Sequence, residues 1–309
     1  MQDKESVLII LNTKKAVLNV YQQLKEIPGY KVYHLSTSMC PQHRKDILKE
    51  VRGKLKLSNE KVICVSTQLI EAGVDISFEC VIRSLAGLDS IAQAAGRCNR
   101  HGEYKKGMVY IIRAKDEALS RLPEIALGQK VTEENVLSRK ELSADLLSPV
   151  AIQMYFDFYL KKAEREIKMT DKNLNVELVE LLDRSQKYLA AIPQDCPKTF
   201  MSSMYKTLES HFEVIEAPTT AILVPYGEGQ ELINNLNEDI RDYEKLNDYL
   251  KKAQQYSVNV YKHTLRALAG EGLIASLYND SIYALKDGGY HDEYGLEMKG
   301  EGQLGYLGF

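Results

Sequence analysis

The chain has no tryptophan, no CxxC pair among its five cysteines, no apolar run near the roughly 20 residues that cross a bilayer, and no excess of basic over acidic residues. Cys40, Cys64, Cys80, Cys98 and Cys196 lack metal-ligand spacing, so they read as reduced core thiols rather than zinc ligands or disulfide staples. A net charge of −3 speaks against holding nucleic acid through a broad basic face, because such binding scales with the phosphates neutralised. It leaves room for local contacts through amides and hydroxyls at helix N-termini. The opening stretch, Met1 to Val7, is polar and lacks the basic-then-apolar layout of an export signal, so the expected setting is the cytoplasm, with no membrane partner.

A GxxxxGK[ST] phosphate loop is also missing, and with it the backbone cradle and lysine that hold the β- and γ-phosphates of ATP. The chain alone is therefore not expected to turn over ATP. Asp116-Glu117-Ala118-Leu119 imitates a magnesium-binding DExx box after an apolar strand, but without a phosphate loop it reads as a solvated loop. His291-Asp292 imitates the His-Asp pair of a metal nuclease. The other histidines, His34, His43, His101, His211 and His263, supply no second cluster, so no metal site is expected.

What is present is ordinary globular composition, 44% hydrophobic and 27% charged over 309 residues, enough for two domains. The first 114 residues alternate short apolar runs with helical patterns, the signature of a parallel sheet wrapped by helices. Strands are expected at Val7 to Leu11, Lys31 to Leu35, Lys61 to Ser66, Cys80 to Leu85 and Met108 to Arg113. Thr13 can cap a helix whose apolar positions Ala16, Val17, Val20, Tyr21 and Leu24 recur at helical spacing, and Pro41 suits the first turn of the next. Beyond Ala114 strand signals fade: Val150 to Met169 and Val176 to Leu189 read as helical. A mixed segment follows from about Met204, with a strand at Ala221 to Val224 and helices from Gln230 to Leu250. Fourteen of the 19 tyrosines lie after residue 150, and their first reading is half-buried rings packing a small domain.

The strongest chemical signal is Gln93-Ala94-Ala95-Gly96-Arg97-Cys98-Asn99-Arg100-His101-Gly102. Arginines three apart fall on neighbouring positions of one helix face and can converge on one anion. Phosphoryl transfer to water needs such charge, and an arginine finger is worth on the order of 10³- to 10⁵-fold in rate. The second signal is Ser66-Thr67-Gln68-Leu69-Ile70-Glu71-Ala72-Gly73-Val74-Asp75-Ile76 at the end of an apolar strand, where hydroxyls and free amides can hold a backbone phosphate. Gly73 permits a tight turn there, and Asp75 could meet the arginines across a nucleotide.

These two segments resemble motifs V and VI of superfamily-2 helicases. The wording STQLIEAGVDISF followed by QAAGRCNRHGE is similar to the CRISPR-associated helicase-nuclease of type I systems. LIILNT and HLSTSMCPQHRKDIL resemble further segments of that family, and AILVPYGEGQELINNL, QQYSVNVY and IYAL with YHDEYGL resemble its accessory C-terminal domain. The resemblance implies a RecA-like α/β lobe over residues 1–120, a helical connector over 121–203 and a small, mostly helical α+β domain over 204–309. It implies that Arg97 and Arg100 meet ATP, that Gln93, Gly73 and Asp75 line the same cleft, and that Thr13, Ser36, Ser66 and Thr67 touch the DNA backbone. His43 and Arg44 belong to a family motif in which Arg44 either holds a carboxylate within the lobe or touches phosphate.

The implied function is the second motor lobe of an ATP-dependent single-stranded DNA translocase in CRISPR interference. ATP and Mg²⁺ would be used only when an N-terminal ATP-binding lobe is supplied in cis or trans, and the surveillance complex would be a partner. Arg97→Ala is expected to abolish ATPase in the completed protein while leaving folding intact. The alternative is a non-catalytic interaction or competitor module that docks on the surveillance complex. A sugar-nucleotide transferase would need a Gly-rich loop after the first strand, and LIILNTKK has none.

Overall fold

The computed structural model describes residues 4–56, 60–115, 117–142, 145–166, 170–171, 176–177, 219–238, 242–278 and 281–296. Five strands, β1 (Ser6–Ile10), β2 (Tyr30–Leu35), β3 (Lys61–Ser66), β4 (Cys80–Ser84) and β5 (Met108–Ile112), form one parallel sheet in the order β2-β3-β1-β4-β5. Each pair of successive neighbours in that order runs parallel, with Leu8 of β1 beside Cys64 on one side and Val81 on the other. The central strand is buried throughout, as expected of a sheet covered on both faces.

Side-chain alternation assigns the faces. Leu8, Ile10, Tyr33, Leu35, Cys64 and Val81 pack on one face with Val51 of α2 (Pro41–Leu55) and Ala94 of α3 (Leu88–Ala95). Val7, Ile9, Val32, Ile63 and Val65 pack on the other with Ala16, Val17 and Tyr21 of α1 (Lys14–Leu24). Thr13 caps α1, its hydroxyl accepting from Ala16 N at 3.2 Å. Pro41 sits in the first turn of α2. After β5 come α4 (Pro123–Thr132) and α5 (Pro149–Glu166), whose Ala151 and Tyr155 are buried.

Further along, β8 (Thr219–Leu223), β9 (Ser257–Tyr261), β10 (Ile274–Leu277) and β11 (Ile282–Leu285) build a second sheet in the order β10-β11-β8-β9. Helices α6 (Gly229–Leu236), α7 (Tyr243–Ala253) and α8 (Lys262–Gly270) supply Leu232, Leu236, Leu246 and Leu268 to its core. Only β8 was expected from the sequence. The other three strands are short, and the alternation in β9, buried Val258 and Val260 between half- or fully exposed neighbours, covers five residues.

The described residues fall into two compact units, one drawn from 1–155 and 218–309 and the other from 156–217. Within the first, Cys40 at the start of α2 belongs to the core of the second sheet. A two-strand hairpin, β12 (Tyr290–His291) with β13 (Gly295–Leu296), fastens there. Leu296 N donates to Ser38 O at 2.8 Å, and Cys40 N donates to the Tyr290 hydroxyl at 3.0 Å. In the second unit, β6 (Thr170–Asp171) pairs antiparallel with β7 (Val176–Glu177), which corrects the helical reading at Val176. The remainder of the expected helix, 178–189, and the expected start of the mixed segment at Met204 lie outside the described residues.

Candidate functional site

The two arginines tie the loop after β3 to the turn after α3. The chain leaves β3 through Ser66 and Thr67, makes a short 3₁₀ turn at Gln68–Ile70, and bends at Gly73, whose φ of 69° is in the left-handed region that favours glycine. Arg97 Nε donates to Ile70 O at 2.9 Å, and its Nη2 donates to Glu71 O at 2.5 Å. Arg100 Nε meets Asp75 Oδ1 at 2.9 Å, and Arg52 Nε donates to Asp75 O at 3.1 Å. Phe78 N donates to Arg97 O and Asn99 N donates to Phe78 O, so the segment after α3 is also fixed by its backbone.

The two guanidinium groups differ in availability. Arg97 is 7% exposed, and burial, then the nearby positive charge of Arg100, pull its pKa below the usual arginine value. Arg100 and Asp75 lie at the surface, their side chains 42% and 72% exposed. Gln93 and Gly73 are exposed on the same loop-and-helix assembly. The structure thus brings Arg97, Arg100, Gly73 and Asp75 together. Because Arg97 donates to two backbone carbonyls, replacing it with alanine is expected to cost the lobe some stability as well.

Beneath this loop lies a polar network that sequence reasoning missed. Arg83 on β4 and Glu71 pair at 2.7 Å with side chains 1% and 6% exposed. Arg83 also donates to Asn12 Oδ1 at 2.7 Å, Ser84 O at 2.8 Å and Ser90 Oγ at 2.9 Å, while Ser90 donates to Glu71 Oε2 at 2.6 Å. Burial raises the Glu71 carboxyl, opposed by Arg83, and lowers the Arg83 guanidinium, opposed by Glu71. The only local signal was a charged residue inside an otherwise apolar strand, CVIRS.

Glu117 corrects a second expectation. The stretch that carries it is irregular and largely exposed, as expected, but its carboxylate is not left to solvent: it accepts from Asn12 N at 2.5 Å, Asn12 Nδ2 at 2.8 Å and Ser84 Oγ at 2.5 Å.

The hydroxyls expected at a DNA backbone lie at the C-terminal ends of β1, β2 and β3. Thr13 is half-buried at its helix cap. Ser36 and Ser66 are fully buried, Ser36 accepting from Ser38 N and Ser66 donating to Thr67 O at 2.8 Å. Thr67 is buried, with its N–H donating to Leu35 O. His43 is engaged by the second sheet: its ring stacks on Tyr226 with centroids 4.2 Å apart, and Nδ1 lies 2.9 Å from the Tyr290 hydroxyl. No described carboxylate pairs with Arg44. His291 Nδ1 accepts from Glu293 N, and among the described residues no three His, Cys, Asp or Glu side chains gather as metal ligands. No described helix is long and apolar enough to cross a membrane.

Residues 3–103 match the family described as CRISPR-associated nuclease/helicase Cas3, C-terminal. The Cas3 nuclease/helicase of Haloferax volcanii is 52% identical over 58 residues, 19% of this chain and 6% of that protein. That of Methanothermobacter thermautotrophicus is 31% identical over 111 residues, 35% of this chain and 13% of that protein. Among solved structures, T. fusca Cas3 with ATP superposes with a TM-score of 0.56 at 16% identity, covering 92% of this chain and 36% of that one. At that identity the superposition speaks for the fold alone, a RecA-like α/β lobe followed by a smaller mixed region. The chain spans about a third of the length of the Cas3 chain it superposes on.

Proposed function

We propose that the chain is the C-terminal part of a Cas3-like helicase-nuclease, with a helicase lobe at its start, and that it is the second motor lobe of an ATP-dependent single-stranded DNA translocase in CRISPR interference; the match of residues 3–103 to the Cas3 C-terminal family and the local identity to Cas3 relatives support this reading. Residues 1–120 are the lobe, 121–203 the connector and 204–309 the accessory domain. The observation that supports this reading most is the attachment of both arginines to the loop between Ile70 and Asp75.

Arg97 and Arg100 divide the work. Arg97 holds the Ile70 and Glu71 carbonyls and so fixes the loop that carries Gly73 and Asp75. Arg100 is the mobile charge: an exposed ion pair such as Arg100–Asp75 is worth at most about 1 kcal/mol, so a polyphosphate can outcompete Asp75 for it. ATP and Mg²⁺ would be gripped by an N-terminal lobe, which supplies the missing phosphate loop, and closure brings Arg100 and Gln93 to the phosphates. Thr13 and Thr67 are the backbone contacts to single-stranded DNA, with Ser36 and Ser66 shaping the loops that carry them. The surveillance complex is the partner that delivers the DNA.

One observation favours the non-catalytic alternative: Arg97, the more deeply placed arginine, is already committed to two carbonyls of its own lobe. The two readings separate in an ATPase assay stimulated by single-stranded DNA, run on the chain alone and after adding a separately expressed N-terminal lobe of a Cas3 relative. Activity only in the mixture supports the half-motor. Association of the two pieces without activity supports the interaction module.

A further inference from the structure

Three donors at the C-terminal ends of β1 and β4 converge on one carboxylate. Asn12 N, Asn12 Nδ2 and Ser84 Oγ all point at Glu117, at 2.5, 2.8 and 2.5 Å. Asn12 is 3% exposed and Ser84 1% exposed, so two of these donors sit on side chains fixed by burial. Behind them the Arg83 guanidinium, 1% exposed, holds Asn12 Oδ1 and so orients the amide with its NH₂ toward the carboxylate. Thr13, next in the chain, caps the 11-residue helix α1, whose N-terminal end adds a favourable field for negative charge.

This is a built oxyanion seat that the chain fills with its own side chain. Carboxylate and phosphate oxygens are interchangeable ligands for an arrangement of one backbone amide, one amide NH₂ and one hydroxyl. Glu117 reaches the seat from the irregular stretch between β5 and α4, where Lys115, Ala118 and Ser120 are exposed, so the segment that carries it borders solvent. We propose that the Asn12–Ser84 seat binds a phosphate group and that Glu117 is an internal plug which a nucleic-acid phosphodiester must displace. The nucleic-acid source rests on the motor-lobe reading above, whereas the seat itself rests on the three donors.

The test uses the full chain, with inorganic phosphate and a fluorescein-labelled oligothymidylate as probes. Glu117→Ala empties the seat while keeping all three donors, and Glu117→Ala/Ser84→Ala removes a donor as well. Glu117→Ala is expected to tighten oligonucleotide binding by about tenfold in fluorescence anisotropy, equivalent to one charge-assisted contact no longer displaced. It should also let inorganic phosphate shift the Asn12 amide resonance at concentrations where the wild type is silent. The double variant should lose most of both gains. A phosphate response without oligonucleotide binding in any variant supports the seat and removes nucleic acid as its source. If Glu117→Ala melts at a lower temperature but gains affinity for neither probe, Glu117 is a structural staple and the proposal falls.

Discussion

Arg83 and Glu71 face each other at 2.7 Å in the floor of the site, each nearly out of reach of water, so the loop that carries the candidate nucleotide contacts stands on a buried ion pair. Removing one member leaves the other charge unpaired in a place where water cannot replace it. Arg83→Met is predicted to lower stability by about 3–5 kcal/mol in urea unfolding. The double variant Arg83→Met/Glu71→Leu should cost clearly less than the sum of the two single changes. Additive losses would show that the pair is not coupled.

Acid should loosen the first unit through its buried imidazoles. Burial drives the His34 ring down to about 3, with the neighbouring His43 adding to the effect, against about 6.5 for an unfolded chain. The fold keeps the ring neutral, so the unfolded state takes up the proton first. The stability tied to that neutrality is whole above pH about 6.5 and is lost as the pH falls toward about 3. His43 is shifted downward too, mainly by burial, and contributes with the same sign. Going from pH 7 to pH 5 should cost on the order of 2 kcal/mol through His34. His34→Phe, which keeps a ring between Tyr21 and Tyr294, is predicted to flatten this part of the pH dependence of the urea midpoint.

The seam between the two sheets depends on a glycine. Gly295 has a φ of 81°, and a Cβ there would stand 2.3 Å from Ser38 O, a backbone atom with nowhere to go. Gly295→Ala should detach the β12–β13 hairpin, seen as loss of amide protection at Leu296 and Cys40 in hydrogen exchange. Full protection in the variant would refute the seam described above.

Tyr290→Phe tests the same seam more gently. The hydroxyl accepts from Cys40 N and contacts His43 Nδ1, so its loss should leave a buried N–H without its partner, at a cost of about 1–3 kcal/mol.

How much of this could be read in advance varies with the range of the interaction. All five strands of the first sheet begin or end within about a residue of the sequence expectation: buried parallel strands leave continuous apolar runs such as SVLII and KVICVS, and β5 keeps such a run, MVYII, although it is largely exposed. Thr13 and Pro41 announced their helices through local chemistry. Arg83, Glu71, Asn12 and Glu117 meet only after the chain has folded, across sequence separations of up to 105 residues, so no spacing rule points to them. His43 carried a family resemblance but no visible role until Tyr226 and Tyr290, some 180 to 250 residues later, closed around it. The arginine motif was legible as a pair. That Arg97 faces inward while Arg100 stays at the surface was not, and the expected shared helix face is corrected: α3 ends at Ala95, so both arginines lie in the turn that follows it, where the backbone path and not helical spacing decides what each meets.

The proposed division of labour has Arg100 serve ATP hydrolysis while Arg97 chiefly holds the loop. The most direct measurement compares Arg100→Ala with wild type in the mixture with an N-terminal lobe, reading single-stranded-DNA-stimulated ATPase, lobe association and thermal stability together. That division predicts a rate loss on the order of 10³-fold or more with association and melting temperature unchanged. Near-wild-type turnover by Arg100→Ala would contradict it.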